Sequence, residues 1–204
     1  TVLSRMVERI RLANSVNTVI LATSTHPQDD ELEVLSSSLG INCFRGHEED
    51  VLARIYEAAC VNQLDYIIHV TADCPLVDPA YIDKTVDFYR QTQADLITAF
   101  DLPHGTFCYG IKPSALKTVL SIKRTEKTEV WGRYFTDTDL FDVQSLPVKA
   151  SHQRTIRLTL DYLEDYAVLS SIYVELMQNR SQSDFSLDDI IDYNDRHAEV
   201  MKQN

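Results

Sequence analysis

Residues Thr18-Val19-Ile20-Leu21-Ala22-Thr23 form a β-rich run with no polar alternation. Such a strand has no face to give to water. It needs cover on both sides, which a parallel sheet between helical layers provides. The same pattern returns at 42–44, 66–70 and 94–100, and helical periodicity fills 29–39, 48–62 and 79–91. This β-α alternation predicts an α/β chain with a mostly parallel central sheet, helices on both faces and right-handed crossovers. A helix at 3–13 precedes the first strand, with Leu3, Met6, Val7, Ile10 and Ala13 on its apolar face and Arg5, Glu8, Arg9 and Arg11 between them.

Beyond residue 100 the pattern is less regular. Strands are expected at 107–111, 142–146 and 155–160, and helices at 114–122, 126–135, 162–178 and 187–194. With 204 residues, 44% of them hydrophobic, and no repeat or linker, a single domain over 1–204 is the expectation. The least regular stretch, 101–150, is the place for a hairpin arm.

Charge excludes some classes. The formal net charge of −12 leaves no basic stripe for nucleic acid or an anionic membrane. No apolar run approaches the ~20 residues that cross a bilayer. Cys43, Cys60, Cys74 and Cys108 form no Cys-x-x-Cys pair, and no secretory signal is visible, so free thiols in a cytoplasmic protein are expected. P-loop, Gly-x-Gly-x-x-Gly and Gly-x-Ser-x-Gly motifs are absent from the sequence.

The chemistry-bearing segment is His69-Val70-Thr71-Ala72-Asp73-Cys74-Pro75-Leu76-Val77-Asp78-Pro79. It places Asp73 in a loop past the carboxyl end of a strand, the edge where α/β sheets bind ligands. Asp73 can hold a divalent cation against phosphates, or it can cap a turn. Cys74 beside it reads as a packed thiol more than a nucleophile. Asp161 ends Arg157-Leu158-Thr159-Leu160-Asp161 before a helix; it can cap that helix or share one Mg²⁺ with Asp73. Arg45 at a strand end can reach a phosphate or pair with nearby acids. Arg54, Glu129 and Arg157 are further polar candidates, and His69 reads as a satisfied core or sheet-face histidine more than a ligand. Trp131, Tyr134 and Phe135 fit a partner surface or the chain's own core equally.

In order along the chain, several segments resemble one family. They are Leu3-Ser4-Arg5-Met6-Val7-Glu8-Arg9-Ile10, Val19-Ile20-Leu21-Ala22-Thr23-Ser24, the run from Phe44-Arg45-Gly46 to Asp50 and Arg54, and Val70-Thr71-Ala72-Asp73-Cys74-Pro75-Leu76. Pro103-His104-Gly105, Thr128-Glu129-Val130 and Arg157-Leu158-Thr159-Leu160-Asp161 follow. The set is similar to the cytidylyltransferase-like family of spore coat polysaccharide biosynthesis proteins, relatives of the CMP-sialic acid and CMP-ketodeoxyoctonate synthetases. The resemblance implies a GT-A-like nucleotide-diphospho-sugar transferase fold and transfer of CMP from CTP to an acidic sugar. It implies Mg²⁺ on Asp73 and Asp161, with Arg157 beside it. Arg45, Asp50, Arg54 and Ala72 would line the nucleotide pocket, and His104 and Glu129 the sugar side. It also allows a homodimer.

Three departures qualify it. The family's opening strand and its Gly/Arg/Pro/Lys-rich triphosphate loop would precede Thr1, so the domain is expected to be N-terminally truncated here. His104 stands where the family has Arg in Pro-Arg-Gly, and Glu129-Val130 stands for a Glu-His pair. A catalytically inactive homologue that binds a nucleotide or a protein partner is therefore the alternative. A glycosyltransferase using a nucleotide sugar is a weaker third reading.

Overall fold

The computed structural model describes residues 1–197. The elements run α1 (Val2–Ile10), β1 (Ile20–Ser24), α2 (Asp30–Ser38), β2 (Asn42–Gly46), α3 (Val51–Val61), β3 (Ile67–His69), α4 (Pro79–Thr92), β4 (Leu96–Thr98) and β5 (Tyr109–Ile111). Then follow α5 (Pro113–Ile122), α6 (Arg133–Thr136), β6 (Val143–Ser145), α7 (Leu163–Leu176) and α8 (Leu187–Arg196). No described helix is long and apolar enough to cross a membrane.

The chain is α/β, but the sheet is not mostly parallel as expected. β1 and β2 pair in parallel, and a second sheet has the order β3-β5-β4-β6. There β4 and β6 are parallel, while β5 runs antiparallel to both β3 and β4. The reason is connectivity. β5 follows β4 through a loop with no crossover helix, so the chain returns in the opposite direction.

Both faces of the larger sheet are covered. Leu96 packs with Leu52, Ile67, Ile111 and Leu116, against α3 and α5. Its neighbour Ile97 packs with Leu76, Ile172 and Ile190, against α7 and α8. Adjacent strand residues point to opposite faces, so β4 is buried on both, as its unbroken apolar sequence requires. Within 101–150, β5 lies inside the sheet, and Trp131 and Phe135 are buried in the α3–α5 cluster, with Tyr134 packed at its edge.

Among the described residues, β1 pairs only with β2 and β3 only with β5. A cavity of about 750 Å³ lies between the two free edges. Ile20, Leu21, Ile67 and Ile68 line it, with Met6 and Val7 of α1.

Three further expectations change. Arg9, placed among the polar residues of α1, is fully buried. It donates to the carbonyls of Val77, Ser183 and Phe185 at 2.8–3.0 Å and tethers α1 to two distant loops. The helix expected at 126–135 shrinks to α6. Thr128 is drawn instead onto α3: its amide donates to Glu49 O, its hydroxyl to Asp50, and it accepts from the Leu52 amide. Such side-chain bonds compete with helix. The segment 155–160 makes a single bridge, Arg157 to His104, in place of a strand.

Candidate functional site

That segment is what assembles the site. The Leu160 amide bonds the Asp73 carbonyl at 2.8 Å, the His104 amide bonds Ile156 O at 2.9 Å, and the Leu158 amide bonds His104 O at 2.7 Å. The Asp78 amide reaches Thr106 O at 2.9 Å. So the loop after β3, the loop after β4 and the approach to α7 are joined by backbone bonds, and Asp73, His104, Arg157 and Asp161 come together. Gly105 permits the joint. It has φ +97°, and a Cβ there would lie 2.5 Å from Leu158 O.

Asp161 is not the helix cap. Its Oδ2 accepts from Arg157 Nη2 at 2.6 Å and from Thr159 Oγ1 at 2.8 Å. The N-cap is Tyr162, and Asp165, three residues on, reaches back: its Oδ2 accepts the amides of Asp161 and Tyr162 at 2.7 and 2.8 Å. Asp165 also holds Arg157 through both oxygens, at 2.6 and 2.8 Å. The Arg157 bond, more than offsetting burial, keeps the Asp165 carboxyl far below the usual carboxylate range. Thr159 and Arg157 hold Asp161 low as well. In turn, Asp165 and Asp161 raise Arg157. The result is a fixed, ionised Asp161 on a buried acidic support.

Asp73 does not cap its turn. The Thr71–Cys74 turn closes through backbone, and among the described residues the Asp73 carboxylate accepts only a weak 3.5 Å contact from Cys74 Sγ. Cys74 is 6% exposed. Burial first, then the charges of Asp73 and Asp161, push its thiol up to about 12, so it is a protonated packing group. The Leu160–Asp73 backbone bond sets the loops that carry Asp73 and Asp161 side by side.

Among the described residues, no group of three or more His, Cys, Asp or Glu side chains forms a metal cage. Two carboxylates on adjoining loops fit a hard cation whose remaining ligands are phosphate oxygens and water, the habit of Mg²⁺ with nucleotides. They do not fit zinc, which takes three or four nitrogen or sulfur donors.

The other candidates lie around the β1–β3 cavity or support it. Arg54, Ala72 and Glu129 line it. Arg54 also donates to His47 O and Glu48 O. Asp50 is a buried cap of α3, accepting from Ala53 N, Thr128 Oγ1 and Lys123 Nζ. Arg45 spans the Ser24 and His26 carbonyls and the acids Asp30 and Glu33. Asp50 and Arg45 are thus engaged in holding the chain together.

Sequence reasoning gave no role to Thr159 or Asp165, and read His69 as a satisfied core or sheet-face residue. An acid three residues into a helix was a readable signal for Asp165. No local signal marks His69. Its Nε2 is buried without a partner, and its ring lies 5.7 Å from Trp131 and 6.2 Å from Tyr109. Burial lowers the imidazole to about 4, so it is neutral near pH 7. It is the sheet histidine expected, in β3, except that its Nε2 is not satisfied.

The cytidylyltransferase family profile matches residues 1–204. The chain belongs to the cytidylyltransferase family. It is 28% identical over 159 residues to the spore coat polysaccharide biosynthesis protein SpsF of Bacillus subtilis, across 76% of this chain and 66% of that protein. The solved cytidylyltransferase of Leptospira borgpetersenii superposes with a TM-score of 0.88 at 25% identity, covering all of this chain and 87% of that one. A CMP:2-keto-3-deoxy-manno-octonic acid synthetase complexed with CTP shares the fold, with a TM-score of 0.62 at 11% identity, over 87% of this chain and 88% of that one. The resemblance carried by the motifs thus holds at the level of the family, and a nucleotidyltransferase follows from it.

Proposed function

We propose that this cytidylyltransferase transfers CMP from CTP to a hydroxyl of an acidic sugar in surface-polysaccharide synthesis, releasing pyrophosphate, on a GT-A-like fold. The observation that carries this is the joining of the Asp73 and Asp161 loops by the Leu160–Asp73 backbone bond. The acceptor oxygen attacks the α-phosphorus, the bond to the bridging oxygen breaks, and pyrophosphate leaves. Bound Mg²⁺ would neutralise and align the phosphates. Asp73 and Asp161 are its ligands in this reading. Arg157, Thr159 and Asp165 keep Asp161 placed and ionised before substrate arrives, which is the preorganisation that charge stabilisation needs. Arg54, Ala72 and Glu129 border the nucleotide and acceptor, and no protein nucleophile is required.

The test is pyrophosphate release from CTP and Mg²⁺ with a panel of acidic sugars. Release that falls at least about a hundredfold in Asp73→Asn supports the reading; release unchanged by that substitution sinks it. A second reading, a nucleotide-binding homologue without turnover, draws on Arg45 and Asp50, both engaged in intrachain bonds. It predicts a CTP-dependent rise in melting temperature with no pyrophosphate from any acceptor.

A further inference from the structure

Beside the two aspartates lies a run of aromatic rings whose outer members, Phe100 and His104, are turned to solvent. Phe100, two residues past β4, is 61% exposed. Its ring meets Phe107 edge-on at 5.5 Å and Tyr109 at 5.9 Å. Phe107 and Tyr109 are 5.5 Å apart, and His104 stacks on Phe107 at 5.9 Å with 27° between planes. Tyr109 then contacts Trp131 at 4.8 Å. The run abuts the aspartates from two sides. His104 is bridged to Arg157, the partner of Asp161. Tyr109 pairs with His69 in the sheet, and both feel the charge of Asp73.

Phe100 packs edge-on against two rings and leaves its outer face open to a ligand. Arg54 and Arg157, whose charges reach this corner, are already bonded to carbonyls and to aspartates respectively. A surface of this composition recognises a flat apolar face, with a few polar groups fixing its orientation.

We propose that Phe100 and Phe107 form a stacking platform for the ring of the acceptor, taking the C–H face of a pyranose while its attacking hydroxyl points toward Asp73 and Asp161. This rests on the nucleotidyl-transfer reading above and specifies how the acceptor is held: by ring stacking, with Phe100 as the specificity-determining residue.

Trp131 is the chain's single tryptophan and touches the platform through Tyr109, so its emission reports occupancy. The experiment titrates N-acetylneuraminic acid, 3-deoxy-manno-octulosonic acid and N-acetylglucosamine into the parent, Phe100→Ala and Phe100→Tyr, following that emission. Separately, the melting shift with CTP and Mg²⁺ is measured in all three. The proposal expects at least one sugar to change the emission of the parent. Phe100→Ala should weaken that sugar about tenfold, the scale of one aromatic contact, and Phe100→Tyr should stay within about twofold. The nucleotide shift should be the same in all three. Equal sugar affinity in Phe100→Ala overturns the platform, and so does a parent whose emission no sugar changes. A parent that binds sugar but gives no nucleotide shift counts against nucleotidyl transfer and leaves the platform standing.

Discussion

Asp165 is the residue on which the site's geometry leans hardest. Its side chain is 2% exposed and serves Arg157 and two backbone amides at once. Asp165→Asn removes the charge and leaves Arg157 partly unpaired, so it should cost roughly 2–3 kcal/mol in a denaturant melt. The effect has a defined pH signature. The folded carboxyl lies below its unfolded value of ~3.9, so its stabilisation is complete above about pH 4 and fades as pH falls through the folded value. The gap in melting temperature between parent and Asp165→Asn should be wide at pH 7 and narrow near pH 2.5. A gap that widens on acidification would contradict the assignment. Cysteine reactivity gives an independent check. Cys60 is exposed, whereas Cys74 and Cys108 are buried with thiols pushed up to about 12. Alkylation of the native protein at pH 7.5, read by peptide mass, should label Cys60 long before either of them.

Elements were legible where both periodicity and burial are local. β1 to β4 and α1 to α4 came from apolar runs and 3.6-residue spacing, because two-sided burial leaves its mark on sequence. The direction of β5 did not, since strand polarity depends on the connection. Neither did 126–132, where Thr128 side-chain bonds to α3 override a helical pattern. Asp73 and Asp161 were readable as loop carboxylates at strand ends, but their joining depends on 156–160 lying between two other loops, a tertiary fact. Gly105 is the hinge of that joint. Gly105→Ala places a Cβ 2.5 Å from Leu158 O at a left-handed φ, so it should cost roughly 2–4 kcal/mol. It should also lower nucleotidyl transfer by displacing the His104–Arg157 bridge. Circular-dichroism melts and pyrophosphate assays on one preparation would check both; a neutral substitution would show that the close approach is not required.

At the scale of the molecule, the sheet and the site serve one arrangement. The free edges of β1 and β3 flank the cavity lined by Arg54, Ala72 and Glu129, and the Asp73 loop leaves β3 at that cavity. The aromatic run reaches the same cavity through Trp131, which lines it and contacts Tyr109 of β5. The chain belongs to the cytidylyltransferase family. The central claim is that Asp73 and Asp161 hold one divalent cation for CTP. Calorimetric titration of CTP into the parent, Asp73→Asn and Asp161→Asn, each with Mg²⁺ and with EDTA, tests it most directly. The account predicts binding that requires Mg²⁺ and weakens at least about tenfold in either variant. Equal CTP affinity with EDTA, or in both variants, would contradict it.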